Sequence, residues 1–166
     1  MFTLPQPTDP DVLQFLALWG LPDPIFLDYV DVGAGYSPDF CHVSANHRVS
    51  VAGGRRVLGW ALWQFPQCVL GNCHSVWEDP TGNLIDVTPP KLGTRTLFVA
   101  DSSLSITWQP NRHRLYNNRT NVAGCPMLDL IGECTADPFF PMPDSNPSLI
   151  GYCSGLGLPT PAKSMI

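Results

Sequence analysis

Cys73-His-Ser-Val-Trp-Glu-Asp-Pro-Thr-Gly-Asn-Leu-Ile-Asp-Val-Thr-Pro89 is the stretch on which the architecture turns. At its centre Asp79-Pro80-Thr81-Gly82 has proline at the second turn position and glycine at the fourth, which predicts a type I turn with a glycine bulge. That turn pairs Asp79 with Asn83, and so sets Glu78 opposite Leu84, Val76 opposite Asp86 and His74 opposite Thr88. Side chains two apart share a face, so His74 and Asp86 become diagonal neighbours about 5–8 Å apart. A plain two-residue turn sends Asp86 to the other face. The pairing of imidazole and carboxylate therefore rests on the bulge.

Upstream, Ser37-Pro38-Asp39 combines a cap, a proline and an acid, and predicts a helix running to Gly53-Gly54. Val43, His47 and Val51 supply its apolar-leaning face, and Cys41 falls in its first or second turn. Free amide groups and the positive dipole end there favour a thiolate. Val57 to Phe65 reads as a strand buried on both faces and stopped by Pro66. Before these, Asp9-Pro10-Asp11 starts a core-facing helix with Val12, Leu13, Phe15, Leu16 and Trp19 at helical spacing and Gly20 just past its end. Ile25 to Val30 is strand-like.

Downstream, Thr96 to Ala100 and Leu104 to Trp108 read as strands around an Asp101-Ser102-Ser103 turn, and Asn117-Asn118 as a further turn. Beyond Cys134 the chain is rich in Pro, Gly and Ser, an irregular surface wrap anchored by Phe139, Phe140 and Tyr152. The expected fold is α+β: two or three helices packed on an antiparallel sheet of about four to six strands. Residues 1–166 form a single domain, with a core over about 9–110 and an irregular extension over 111–166.

Only 14% of residues are charged, and the net charge of −5 comes with no basic cluster, which argues against a nucleic-acid partner. No apolar run reaches the roughly 20 residues that span a bilayer. The first ten residues lack a basic region followed by an apolar one, so no secretory leader is read, and a cytoplasmic setting with reduced thiols is expected for the six cysteines.

A cysteine at a helix start, a histidine on a following strand and an aspartate on the next is what thiol-dependent acyl transfer requires. Cys41 would attack a carbonyl, His74 would take and return the proton, and Asp86 would fix the imidazole tautomer. The order Cys41, His74, Asp86, with the cysteine on a helix and its partners on a hairpin, resembles the papain-like superfamily, most closely its transglutaminase-like and NlpC/P60-like branches. His74-Ser75-Val76-Trp77, Asp79-Pro80-Thr81-Gly82 and Asp86-Val87-Thr88-Pro89 are similar to a compact His-x-Trp to Asp-Pro-Thr segment of transglutaminase-like proteins. The tryptophan stands three rather than two residues after the histidine, and the final proline follows threonine.

The resemblance implies a papain-like core and a cysteine hydrolase or acyltransferase that forms a thioester acyl-enzyme with a peptide or other amide-containing substrate, without a cofactor. It also implies an oxyanion hole, for which the Cys41 amide and either Gln64 or Asn72 are candidates. Trp60, Trp63 and Trp77 could line a substrate groove, although aromatics on central strands are more often core.

A competing constellation is metal binding. Cys41, His42, His47, Cys68 and Cys73 offer soft and borderline ligands suited to zinc, though Cys68 and Cys73 stand wider than a knuckle. That reading makes the chain a non-catalytic, zinc-stabilised or papain-like protein-binding module. A third pattern, disulfide pairing among Cys125, Cys134 and Cys153 with Cys68 as a further candidate, leaves one tail cysteine over.

Overall fold

The computed structural model describes residues 2–159. Helix α1 spans Pro10–Trp19 and buries Val12, Phe15 and Leu16, while Gly20 at φ 62° returns its N–H to the Leu16 carbonyl. Asp9 does not cap it with its side chain. That carboxylate accepts the Gln6 N–H at 2.8 Å instead, pinning the preceding turn. Strand β1 is Ile25–Asp28, helix α2 is Cys41–Ala52, and β2 (Arg55–Gln64) and β3 (Val69–Glu78) form the long central hairpin. Its register runs unbroken from Arg55↔Glu78 to Gln64↔Val69.

Around that hairpin lie β4 (Leu84–Ile85), β5 (Arg95–Ala100), β8 (Asn118–Thr120) and β9 (Met127–Leu128). Together the described residues make a seven-stranded antiparallel sheet in the order β1-β5-β2-β3-β8-β9, with β4 also on β3. A second sheet joins β10 (Phe139–Pro143), β7 (Arg112–Tyr116) and β6 (Thr107–Gln109). Helix α3, Pro147–Gly155, follows, its Asn146 side chain accepting the Leu149 N–H. The molecule is thus α+β, with one strand more in its main sheet than the upper expected number.

Helix α1 covers one face of the sheet, where Val12, Phe15 and Leu16 pack on Trp60, Leu62, Val69, Leu97 and Val99. Gly71 is required at this contact, because a Cβ there would stand 2.6 Å from the Phe15 ring. Helix α2 lies between two further apolar clusters: Val43 joins Ile106, Leu115, Leu149 and Cys153, while Val49 and Ala52 meet Tyr36, Trp77 and Val87. Of the expected stripe along α2, Val43 is buried, His47 is half-buried and Val51 is not. Cys41 to Ala45 are all buried and Val51 is exposed, because the first turns of the helix enter the fold while its end emerges.

The C-terminal third is more ordered than its composition predicts. Asn117-Asn118 is no turn but the step from β7 into β8, and Phe139-Phe140-Pro141-Met142-Pro143 is a strand. Its prolines are tolerated because β10 is an edge strand, paired with β7 on one side alone. Leu104 to Trp108 do not pair back onto β5; the strand begins at Thr107 and belongs to the second sheet. Tyr152 does act as an anchor, stacking on Phe40 and hydrogen-bonding Ser44 at 2.8 Å. Cys125 and Cys134 form a disulfide, so the expectation of wholly reduced thiols does not hold, while Cys41, Cys68 and Cys73 stand outside it. Among the described residues no helix is long and apolar enough to cross a membrane.

Candidate functional site

The Asp79–Gly82 turn forms as its residues dictate. The Gly82 N–H returns to the Asp79 carbonyl at 3.0 Å, Gly82 takes φ 91°, and the Asp79 N–H donates to the Asn83 carbonyl at 2.9 Å. The Asp79 carboxylate accepts from the Thr81 and Asn83 amides, and hydrogen bonds from Asn83 and Thr81 hold it below the usual carboxylate range. Glu78↔Leu84 and Trp77↔Ile85 then pair in the expected register. Past Ile85 the chain leaves β3, so the expected Val76–Asp86 and His74–Thr88 pairs do not form. Asp86 bridges Tyr29 instead, and its carbonyl accepts the Val30 N–H at 3.0 Å.

The two side chains nonetheless meet. His74 Nε2 lies 2.9 Å from Asp86 Oδ2. The carboxylate is 1% exposed and has further donors: the Thr96 hydroxyl on Oδ2 and the Thr88 N–H on Oδ1, each at 3.0 Å. A carboxylate held on several sides keeps the imidazole in one orientation.

Cys41 reaches the same place from the helix. Its segment differs from the expected cap: Asp39 adopts φ 73°, which no helical residue can, so the helix starts at Cys41 rather than after Ser37. Cys41 is thereby the first helical residue, where amide groups have no acceptor within the helix. Its sulfur hydrogen-bonds with both His74 and His42. The second imidazole is itself held, His42 Nδ1 standing 2.6 Å from the Ser75 hydroxyl. His74 and Ser75 are successive strand residues and point to opposite faces. Both can meet one helix start because β3 pairs with β8 at Leu70–Gly71 and with β4 at Trp77–Glu78, leaving the edge between them to α2.

Burial opposes charge on the thiol, yet the two imidazoles hold Cys41 well below the ordinary thiol range. Burial likewise opposes charge on His74, and Asp86 and Cys41 overcome it to hold His74 well above its ordinary value. The favoured state is a thiolate beside an imidazolium. Cys73 shows the contrast: half-buried close by, its thiol is pushed far up by desolvation and by the Cys41 charge.

A cavity of about 140 Å³ opens onto Cys41 and His74, with Trp63, Asn72 and Thr88 in its wall. Asn72 Oδ1 and Thr88 Oγ1 are buried without a hydrogen-bond partner. Lys91 and Asp39, also in its wall, pair with each other. Of the two oxyanion candidates, Gln64 is committed elsewhere, its amide donating to Asp11 and to the carbonyls of Phe65 and Cys68. Of the tryptophans, Trp60 is fully buried in the core and donates to Asp101, and Trp77 packs in the core and donates to the Gly53 carbonyl. Trp63 alone of the three lines the cavity.

The zinc set is not assembled: among the described residues no group of three or more His, Cys, Asp or Glu is placed to hold a metal. His42 is taken by Ser75, and His47 by Tyr36 at 2.8 Å, whose own hydroxyl is pushed up to about 12 by burial. Sequence reasoning missed His42 as a partner of the thiol and Ser75 as the partner of His42, although each stands beside a residue it had selected. Comparison with family models, with curated proteins and with solved structures finds no match.

Proposed function

We propose that the protein is a cysteine-dependent hydrolase or acyltransferase acting on an amide or peptide bond through a thioester. The observation that carries this reading is the hydrogen-bonded chain from Cys41 sulfur through His74 to Asp86, with the His74–Asp86 link at 2.9 Å. Since Nε2 of His74 faces Asp86, Nδ1 is the nitrogen left for the sulfur. The thiolate attacks the carbonyl, forming the C–S bond as the carbonyl pair moves onto oxygen. His74 then gives its proton to the departing amine as the C–N bond breaks. Water or an amine attacks the thioester next, His74 takes its proton, and the sulfur leaves with the bonding pair.

The oxyanion needs donors that act only as charge develops. The Cys41 amide at the helix start is one. Asn72 is the side-chain choice over Gln64: it lines the cavity with an unpartnered carboxamide oxygen, and half a turn of that group presents Nδ2 at the same spot.

The test is selective alkylation. Iodoacetamide at mildly acidic pH should label Cys41 far faster than Cys68, Cys73 or Cys153, as mapped by peptide mass spectrometry. Equal labelling of all accessible thiols would end the proposal, and Cys41→Ala separates an active site from a silent one in any amide-cleavage assay.

A further inference from the structure

Beside the cleft that holds His74, a second cavity of about 230 Å³ opens on the other side of the helix start. Val43, Leu115, Met142 and Leu149 make its wall, and His42, the second imidazole on the sulfur, forms its inner edge. Asp39 lines both cavities, so they adjoin within a residue or two of the nucleophile. Val43, Leu115 and Leu149 are buried, which makes the inner wall apolar, whereas Asn146 and Ser148 bring polar groups to the rim.

Resting on the acyl-transfer reading, we propose that this cavity is the specificity pocket: it takes a leucine- or phenylalanine-sized apolar side chain next to the carbonyl that Cys41 attacks. Three features select that occupant. An apolar cavity of about 150 Å³ holds benzene, and this one, at about 230 Å³, has room for a larger group, a branched or aromatic side chain with its Cα. Both α2 and α3 begin at the rim, so their positive ends favour an electronegative oxygen such as a peptide carbonyl. The cavity is also edged by His42, which hydrogen-bonds the reacting sulfur, so a group joined to the acyl carbon by one bond is within reach. An acidic side chain would lose its hydration against Val43, Leu115 and Leu149 and would meet a like charge, the Asp39 carboxylate, at the same cavity.

N-acetyl-glycine, -leucine, -phenylalanine, -tryptophan and -aspartate p-nitrophenyl esters test this with the full chain. Attack by the sulfur forms the thioester C–S bond, breaks the ester C–O bond and releases p-nitrophenolate, which is read at 400 nm as roughly one equivalent per thiol. The leucine and phenylalanine esters should acylate Cys41 about 10- to 100-fold faster than the glycine ester, and the aspartate ester no faster than glycine. Met142→Trp, which fills the cavity from its edge, should bring the leucine-to-glycine ratio towards one. Leu149→Ala, which enlarges it, should shift preference to the tryptophan ester. Equal rates for all esters in a protein whose Cys41 still alkylates rapidly at acidic pH would overturn the pocket and leave the acyl-transfer reading standing. A ratio untouched by Met142→Trp and Leu149→Ala would do the same. Slow alkylation together with no acylation by any ester would overturn both.

Discussion

Cys41 and His74 titrate in opposite directions from their ordinary values, and the pH behaviour follows. The thiolate–imidazolium pair exists above the lowered value of Cys41 and below the raised value of His74. The amide-cleavage rate should therefore rise with pH as Cys41 ionises and fall again as His74 loses its proton, a bell with both limbs far apart. Stability follows the same signs. The contribution of His74 is full below its ordinary 6.5 and disappears as pH rises through the folded value. That of Cys41 is full above its ordinary 9.0 and disappears as pH falls through the folded value. Asp86→Asn removes the charge that supports the imidazolium, so the upper limb should move to lower pH and the rate should drop by about 10²–10⁴. A pH–rate profile of the variant with an unmoved upper limb would count against the orienting role. At this scale the order Cys41, His74, Asp86 could be read from the chain because each residue announces itself by type and by its neighbouring turn. His42 on the sulfur could not, because its partner Ser75 comes into reach only through the gap in the β3 edge.

Elements were legible in proportion to how local their causes are. The Asp79–Gly82 turn formed as read, since its proline, glycine and carboxylate act within four residues. The start of α2 shifted because Asp39 takes a left-handed conformation whose cause lies outside the cap pattern. Two glycines give contrasting predictions. Gly82→Ala meets no neighbour but must hold φ 91°, so a loss of about 1 kcal/mol is expected in urea unfolding. Gly59→Ala has ordinary backbone angles but sets a Cβ 2.1 Å from the Val99 carbonyl and 2.6 Å from the Phe98 ring. There the β2–β5 ladder itself must give way, and a loss of about 1–3 kcal/mol is expected, the larger of the two. A Gly59→Ala variant no less stable than wild type would contradict this packing.

On the scale of the whole molecule, the α+β class and the strand over Val57 to Phe65 came through from the pattern of apolar runs, but the β2–β3 pairing and the last third did not. Two prolines hid an edge strand, and short strands such as Met127–Leu128 carry no period to read. The Cys125–Cys134 bridge lies in this third, joining cysteines 9 positions apart and leaving the site's own thiol free. Replacing both cysteines with serine should lower unfolding stability by about 2–3 kcal/mol, the scale for a short closed loop. It should leave the rapid acidic alkylation of Cys41 as it was, measured side by side by calorimetry and labelling.

Because the helix begins on Cys41 itself, tolerance to length change is lopsided about that residue. A residue added at the exposed Gly33, ahead of the buried Tyr36, only lengthens a loop. A residue added just after Cys41 rotates everything behind it by about 100° against the sulfur, carrying His42 off Ser75 and Val43 out of its cluster. Drift in the chain's length can therefore accumulate before the thiol and scarcely at all behind it.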